Sequence, residues 1–421
     1  MPCHRPGGGG PFNLITFKDV AKRSEMVELV TSTRYMPPWP ADRSYSHFAN
    51  ERGLTDEQIA LISKWHKQGA VKGNISMLPE VPSYDDRSHL GKPDAILSLV
   101  PVPIEGNNRD KFFILKIPFN LPKDTFVRTL EFISGRNQVV HHANGHLLNF
   151  DFDKKNDVYG GKYIMSTDLS EVDYVSQFDS LSLYHDDGTI PQRIHSAINY
   201  LPGMLFHHYP EGLGGFPISR KGAIVLNDLH YGPIPKDVID SSFINIFYAK
   251  EPPKRPTTEV MMGTNGVSAI EPPLLVEPGK IQSFVTRWRT PKDVSLLSIN
   301  PHMHLLGKSM TAFAVKPNGD TIPLIRIPEW DFRWQYIYTF EKMLRVPRGS
   351  VITVIAEYDN TSDNPNNPFD PPRPIGERLD KNGASMRTTD EMFQFIITLL
   401  PYQEGDENIS LKSHRTNGSQ E

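Results

Sequence analysis

At 421 residues, with 37 prolines and 30 glycines spread along its length, the chain is too long for one ordinary core and too interrupted for long helices, so two or three mostly β domains are expected. A formal charge of -4 with no Lys/Arg cluster leaves no electrostatic footprint for nucleic acid or an anionic membrane. A single cysteine, Cys3, excludes an internal disulfide framework and a thiolate zinc cluster, and no apolar run approaches the roughly 18 residues of a membrane span.

Residues 1–80 read as a small helical module. "FKDVAKRSEMVELVTSTRYMPPW" and "LTDEQIALISKWHKQGA" carry helical periodicity, the second with Thr55 as N-cap and Gln58 three residues on. "MLPEVPSYDDRSHLGKPD" is polar and turn-rich, a linker. From 95 to 252, β-branched and aromatic runs such as "KFFILKIPF", "FVRTLEFIS" and "GAIVLNDLHYG" alternate with turn signals and predict a β-sandwich. "EPPKRPTTE" marks a second boundary, and 262–405, with "QSFVTRWRT", "SVITVIAEYDN" and "EMFQFIITLLPY", predicts another. "KSHRTNGSQE" reads as a frayed tail.

The chemistry sits in histidines. In "SINPHMHLLGKSM", strand alternation sends His302 and His304 to one side and Met303 to the other, which is metal-ligand spacing; the bland alternative is a pair of surface histidines. "NQVVHHANGHLL" supplies His141 and His142, which can share a metal only at a bend or bulge or through different ring nitrogens. "LNDLHYG" supplies His230 at a strand end, with Asp228 two residues earlier on the same face as a candidate to orient an imidazole or as a merely solvated carboxylate. In "TTDEMFQFIITLL", Phe393, Phe395, Ile397 and Leu399 form an apolar face, and Met392 lies on the other, where its thioether is either packing or a soft donor suited to copper.

Taken in order over residues 95 to 403, His141–His142, "HYG", "HMH" followed by "GK", and "DEM" resemble the copper type II, ascorbate-dependent monooxygenases, the family of the peptidylglycine hydroxylating and dopamine β-monooxygenase enzymes. The resemblance implies two tandem jelly-roll-like sandwiches, each lending one copper ion to a shared cleft. His141, His142 and His230 would hold the electron-storing ion; His302, His304 and Met392 would hold the ion that meets O2 and carries out C–H hydroxylation. Inserting one oxygen atom and reducing the other to water takes two outside electrons, and one copper holds one. Asn300, Gln394 and Ile396 stand where the peptide-amidating members carry a carboxylate clamp, so the substrate expected is a different small organic molecule with Asn300 and Gln394 beside it. The eukaryotic relatives are disulfide-rich, and this chain looks like a bacterial relative, periplasmic or secreted, with no basic-then-apolar signal pattern in the sequence itself.

The amino-terminal "MPCHRPGGGGPFNL" is similar to the end of a C-x-x-C-H haem attachment whose first cysteine would fall one position before Met1. A cytochrome c-like module of the kind fused to bacterial copper monooxygenases is thereby implied, with Cys3 as one thioether link and His4 and Met36 as axial ligands, and a degenerate adaptor without haem as the alternative. "HHYPEGLGG", with His207 and His208, reads as an exposed loop, and "EYDNTSDNPNNPFDPP" as turns before any calcium site. The expectation is a copper-dependent monooxygenase using O2 and an external one-electron donor, ascorbate or a haem protein; the rival is a copper-binding or electron-transfer protein on the same fold.

Overall fold

The computed structural model describes residues 3–78, 87–167, 174–201, 209–210, 212–378 and 387–412; His207, His208 and all but the first residue of the expected tail lie outside them. The chain is mainly β, the paired strands among the described residues are antiparallel, and two stacks of sheets follow one another. No helix among the described residues is long and apolar enough to cross a membrane.

Three strands organise the first stack: β1 (Lys111–Asn120), β2 (Val140–Asn149) and β3 (Lys221–Tyr231). They are the middle of a five-stranded sheet, in the order Ile164–Ser166, β1, β3, β2, Gln192–Tyr200. A four-stranded sheet lies against it, and the inward residues of both, among them Leu115, Ile117, Leu147, Ile224 and Leu226 with Val127, Phe132, Ile244 and Ile246, form one buried cluster. This alternation of buried and open positions is what a half-buried strand imposes.

The second stack repeats the plan with the sheets exchanged. Here β4 (Val294–Met303) and β5 (Phe393–Pro401) are the middle of the four-stranded sheet, between Thr258–Gly263 and Tyr338–Val346. Its core joins Ile299, Met303, Phe393, Phe395 and Ile397 to Phe284, Ala312, Val354 and Ala356 of the opposing five-stranded sheet. Each stack also carries a two-stranded sheet, so the 4, 5 and 2 pattern occurs twice.

The amino-terminal periodic run breaks at Lys22–Arg23 into α1 (Phe17–Ala21) and α2 (Ser24–Ser32), and α3 (Asp56–Lys67) starts at Thr55 with the expected reciprocal capping by Gln58. Between α2 and α3 the chain leaves the helices and straps the second stack. Trp39 and Phe48 pack on Tyr338, Asp42 pairs with Arg326, and the Ala49 amide donates to the Thr339 carbonyl at 2.8 Å. Ala41 and Phe48 thereby become members of that stack's core, and the preceding loop touches the first stack where Asn137 Nδ2 donates to the Gly7 carbonyl at 2.8 Å.

Candidate metal centre

The first histidine set is made by a bulge. On β2 and β3, His142 lies opposite His230 while Val140 lies opposite Tyr231, so two steps along β2 answer one along β3 and His141 is the extra residue. That extra residue lets adjacent histidines turn to one side, as a regular strand forbids. One ring nitrogen from each of His141, His142 and His230 lies within 4.8 Å of the others, and the Nδ1 atoms of His141 and His142 are 3.1 Å apart.

Two carboxylates orient the set. His142 Nε2 donates to Asp228 Oδ2 at 2.9 Å, and His230 Nε2 donates to Asp110 Oδ1 at 2.7 Å. Because an ionised carboxylate only accepts, the proton of each ring sits on Nε2 and the lone pair on Nδ1 points into the cluster. Phe112, the cross-strand neighbour of His230, stacks on its ring at 4.3 Å and 10°. His230 Nδ1 is buried and has no hydrogen-bond partner among the described residues. An orphaned lone pair costs about 1–3 kcal/mol, which a bound cation would relieve.

On the second stack, His302 pairs with Gln394 and Met303 with Phe393. Met303 and Phe393 are fully buried in the core, so His302 and Gln394 project from the opposite face, and alternation puts Asn300 and Met392 on that same outer face. His304 follows immediately, its ring perpendicular to that of His302 with centroids 5.1 Å apart. His302 Nδ1 bonds Gln335 Oε1 at 2.7 Å and His304 Nδ1 donates to the Asp390 carbonyl at 2.8 Å. Here the lone pairs fall on Nε2, the reverse of the first set. The Met392 backbone is held by the Tyr358 hydroxyl, which donates to its carbonyl at 2.7 Å.

The two sets face each other. The Phe332 ring lies 6.2 Å from that of His141, nearly parallel, and 5.7 Å from that of His304, nearly edge-on. Asp228 also acts electrostatically on His302 and His304.

Burial first, and then repulsion by His142 and His230, pushes His141 down to about 3; burial with His304 brings His302 to about 3, and burial, against its bond to the Asp390 carbonyl, brings His304 to about 4. Burial also lowers His230. For Asp228 burial works upward, and His142, His230 and His302 together outweigh it and hold the carboxyl below its usual value. The rings of His141, His230, His302 and His304 are neutral at pH 7. A histidine depressed in the folded state binds fewer protons there than when unfolded, so stability rises with pH across about 4 to 6.5 and is lost on acidification. Metal-free protein is therefore expected to lose on the order of 2 kcal/mol for each of His141, His302 and His304 between pH 7 and pH 5, read as a falling urea midpoint.

No family model and no curated protein matches the chain. Among solved structures it is similar to that of infectious bursal disease virus, Gt strain, at 10% identity and a TM-score of 0.18, over 76% of this chain and 75% of that one, a likeness too slight to carry an argument.

Of the other expected site residues, the Asn300 side chain donates to the Tyr336 carbonyl and that of Gln394 to the Thr264 carbonyl, both at 2.9 Å, so each presents its own amide oxygen elsewhere. Asp228 does orient an imidazole, that of His142 rather than of its strand neighbour His230. At the amino terminus His4 Nδ1 bonds the Phe12 carbonyl at 3.0 Å, the Met36 amide closes on Val30, and Cys3 is the only thiol. In the 357–372 segment, Asp359 accepts the Thr361 amide in a turn, and Asn360 Nδ2 donates to the carbonyls of Val276 and Arg373.

Sequence reasoning missed Asp110, Phe332, Gln335 and Glu391. Glu391 carried a signal: it occupies an inward position of the alternating "TTDEMFQF", where a carboxylate must find donors.

Proposed function

We propose that the chain is a copper-dependent monooxygenase that hydroxylates a C–H bond of a small organic substrate, using O2 and an external one-electron donor, ascorbate or a haem protein. The observation that carries this reading is the pairing of two histidine sets across a single aromatic ring, with His142 and His230 protonated on Nε2 and His302 and His304 on Nδ1. The repeated sheet plan supports the tandem jelly-roll-like architecture that the family implies, and a periplasmic or secreted setting belongs to the same reading.

His141, His142 and His230 would hold one copper ion through neutral nitrogens, and His302, His304 and Met392 the other. Bound there, copper supplies one-electron redox chemistry and dioxygen activation, and the thioether favours its reduced form. The chain's own groups set the conditions. Asp110 and Asp228 hold the proton of His230 and of His142 on Nε2, and their charges offset the positive charge gathered in the first set. Gln335 and the Asp390 carbonyl hold the protons of His302 and His304 on Nδ1. Phe112 and Phe332 exclude water from the faces of the rings, and Asn300 and Gln394 line the outer face of the second set, where a small substrate has polar edges to bind.

The test is metal analysis followed by oxygen uptake. Two copper ions per chain, and donor-dependent O2 consumption matched by hydroxylated product, support the enzyme. Copper that cycles with the donor and yields no product points to an electron carrier. Negligible copper in both the wild type and the metal-site variants overturns the reading altogether.

A further inference from the structure

The loop 328–336 reaches both histidine sets. Its Phe332 ring touches His141 and His304, its Gln335 amide touches His302, and the two are joined because Gln335 Nε2 donates to the Phe332 carbonyl at 2.9 Å. That carbonyl can only accept, so the amide nitrogen of Gln335 must face it and the amide oxygen must face His302. The oxygen accepts in turn, which requires the proton of His302 on Nδ1. Gln335 is 4% exposed, so water cannot take over either bond.

The outer side of the loop is fixed as well. Asp331 accepts from the Arg333 backbone at 2.9 Å and from its guanidinium, Arg333 donates to the Tyr35 hydroxyl at 3.1 Å, and the Tyr336 hydroxyl donates to the Pro38 carbonyl at 3.0 Å. The amino-terminal strap thus holds the loop that holds Gln335.

We propose that Gln335 is a positioning residue that locks His302 in the Nδ1–H tautomer, leaving Nε2 as its ligand atom, and that its bond to the Phe332 backbone ties this tautomer to the ring lying between the two sets. The metal half of the statement rests on the proposed function; the tautomer half does not.

The experiment uses the full chain with 15N-labelled histidine. In metal-free protein, imidazole 15N shifts should show His302 as a single Nδ1–H tautomer in the wild type and in Gln335→Glu, which keeps the acceptor, and a mixed or reversed tautomer in Gln335→Leu. Gln335→Met, similar in length and flexible, replaces leucine if that variant does not fold. Titration with copper should then show the second ion bound about 10–100-fold more weakly in the leucine or methionine variant, with the paramagnetic signal of the first ion unchanged. A folded variant lacking the acceptor that keeps both the wild-type tautomer and the wild-type copper affinity overturns the proposal. Should the wild type bind no copper at the second set, the oxygenase reading fails while the 15N measurement still decides the role of Gln335.

Discussion

His302→Ala is expected to remove one copper ion, leave the other in place, and lower donor-dependent product formation by at least about 10³-fold, a loss of about 4 kcal/mol of transition-state stabilisation. The separation follows from the geometry. His302 belongs to the end of β4 and takes its orientation from Gln335, whereas the first set is built by the β2 bulge and oriented by Asp110 and Asp228. A small side chain at 302 strips one proposed ligand and leaves Gln335 without its partner, with no bond in the first set disturbed. His230→Ala should give the mirror result, with the ion of the second set retained and multiple turnover lost because one of the two electron stores is gone. Copper per chain, the paramagnetic signal of each variant, and product per O2 consumed are the three measurements. The assignment of separate roles is lost if His302→Ala forms product at the wild-type rate with one ion missing, or if either substitution removes both ions together.

The placement of the histidines was legible because residue type and spacing carry it. His302 and His304 share a face by simple alternation, and Met392 by the same parity on the neighbouring strand. His141 and His142 were legible only as a puzzle, since a bulge is a property of the pairing between β2 and β3 and neither strand alone contains it. Asp110 and Gln335 were hidden for a similar reason: Asp110 lies 120 residues from His230 and Gln335 lies 33 from His302, and only register brings them within hydrogen-bond range. Phe332 reads in the sequence as one aromatic among 22 phenylalanines and acquires meaning only where two sheets face each other. The amino-terminal helices were readable from their caps, as Thr55 and Gln58 show, whereas the strap between them contains no periodicity at all and is ordered by the aromatic surface that Tyr336 and Tyr338 offer to Trp39.

Glu391→Ala is expected to destabilise the chain by about 3–5 kcal/mol and to cost it the second metal ion, although Glu391 itself is no ligand. The side chain is 1% exposed, and its two oxygens accept the amides of Leu306 at 2.6 Å, His304 at 3.0 Å and Met392 at 3.3 Å. It therefore fastens the end of β4 to the start of β5, the two points from which the proposed ligands depart. Truncation strands three buried N–H groups and opens a cavity at the same place. Glu391→Gln keeps one strong acceptor and turns an amide nitrogen toward a donor, so a milder loss of about 1–3 kcal/mol is expected. Burial pushes the Glu391 carboxyl up to about 8 against the pull of those three amides. An acid raised in the folded state binds more protons there than in the unfolded chain, so its contribution to stability is present below about pH 4.5 and is lost as the pH rises toward 8, opposite in sense to the buried histidines. Glu391→Gln removes that dependence, and its melting temperature should fall less than that of the wild type between pH 6 and pH 8.5. If Glu391→Ala melts with the wild type and still binds two ions, the second set is held together by something other than this carboxylate.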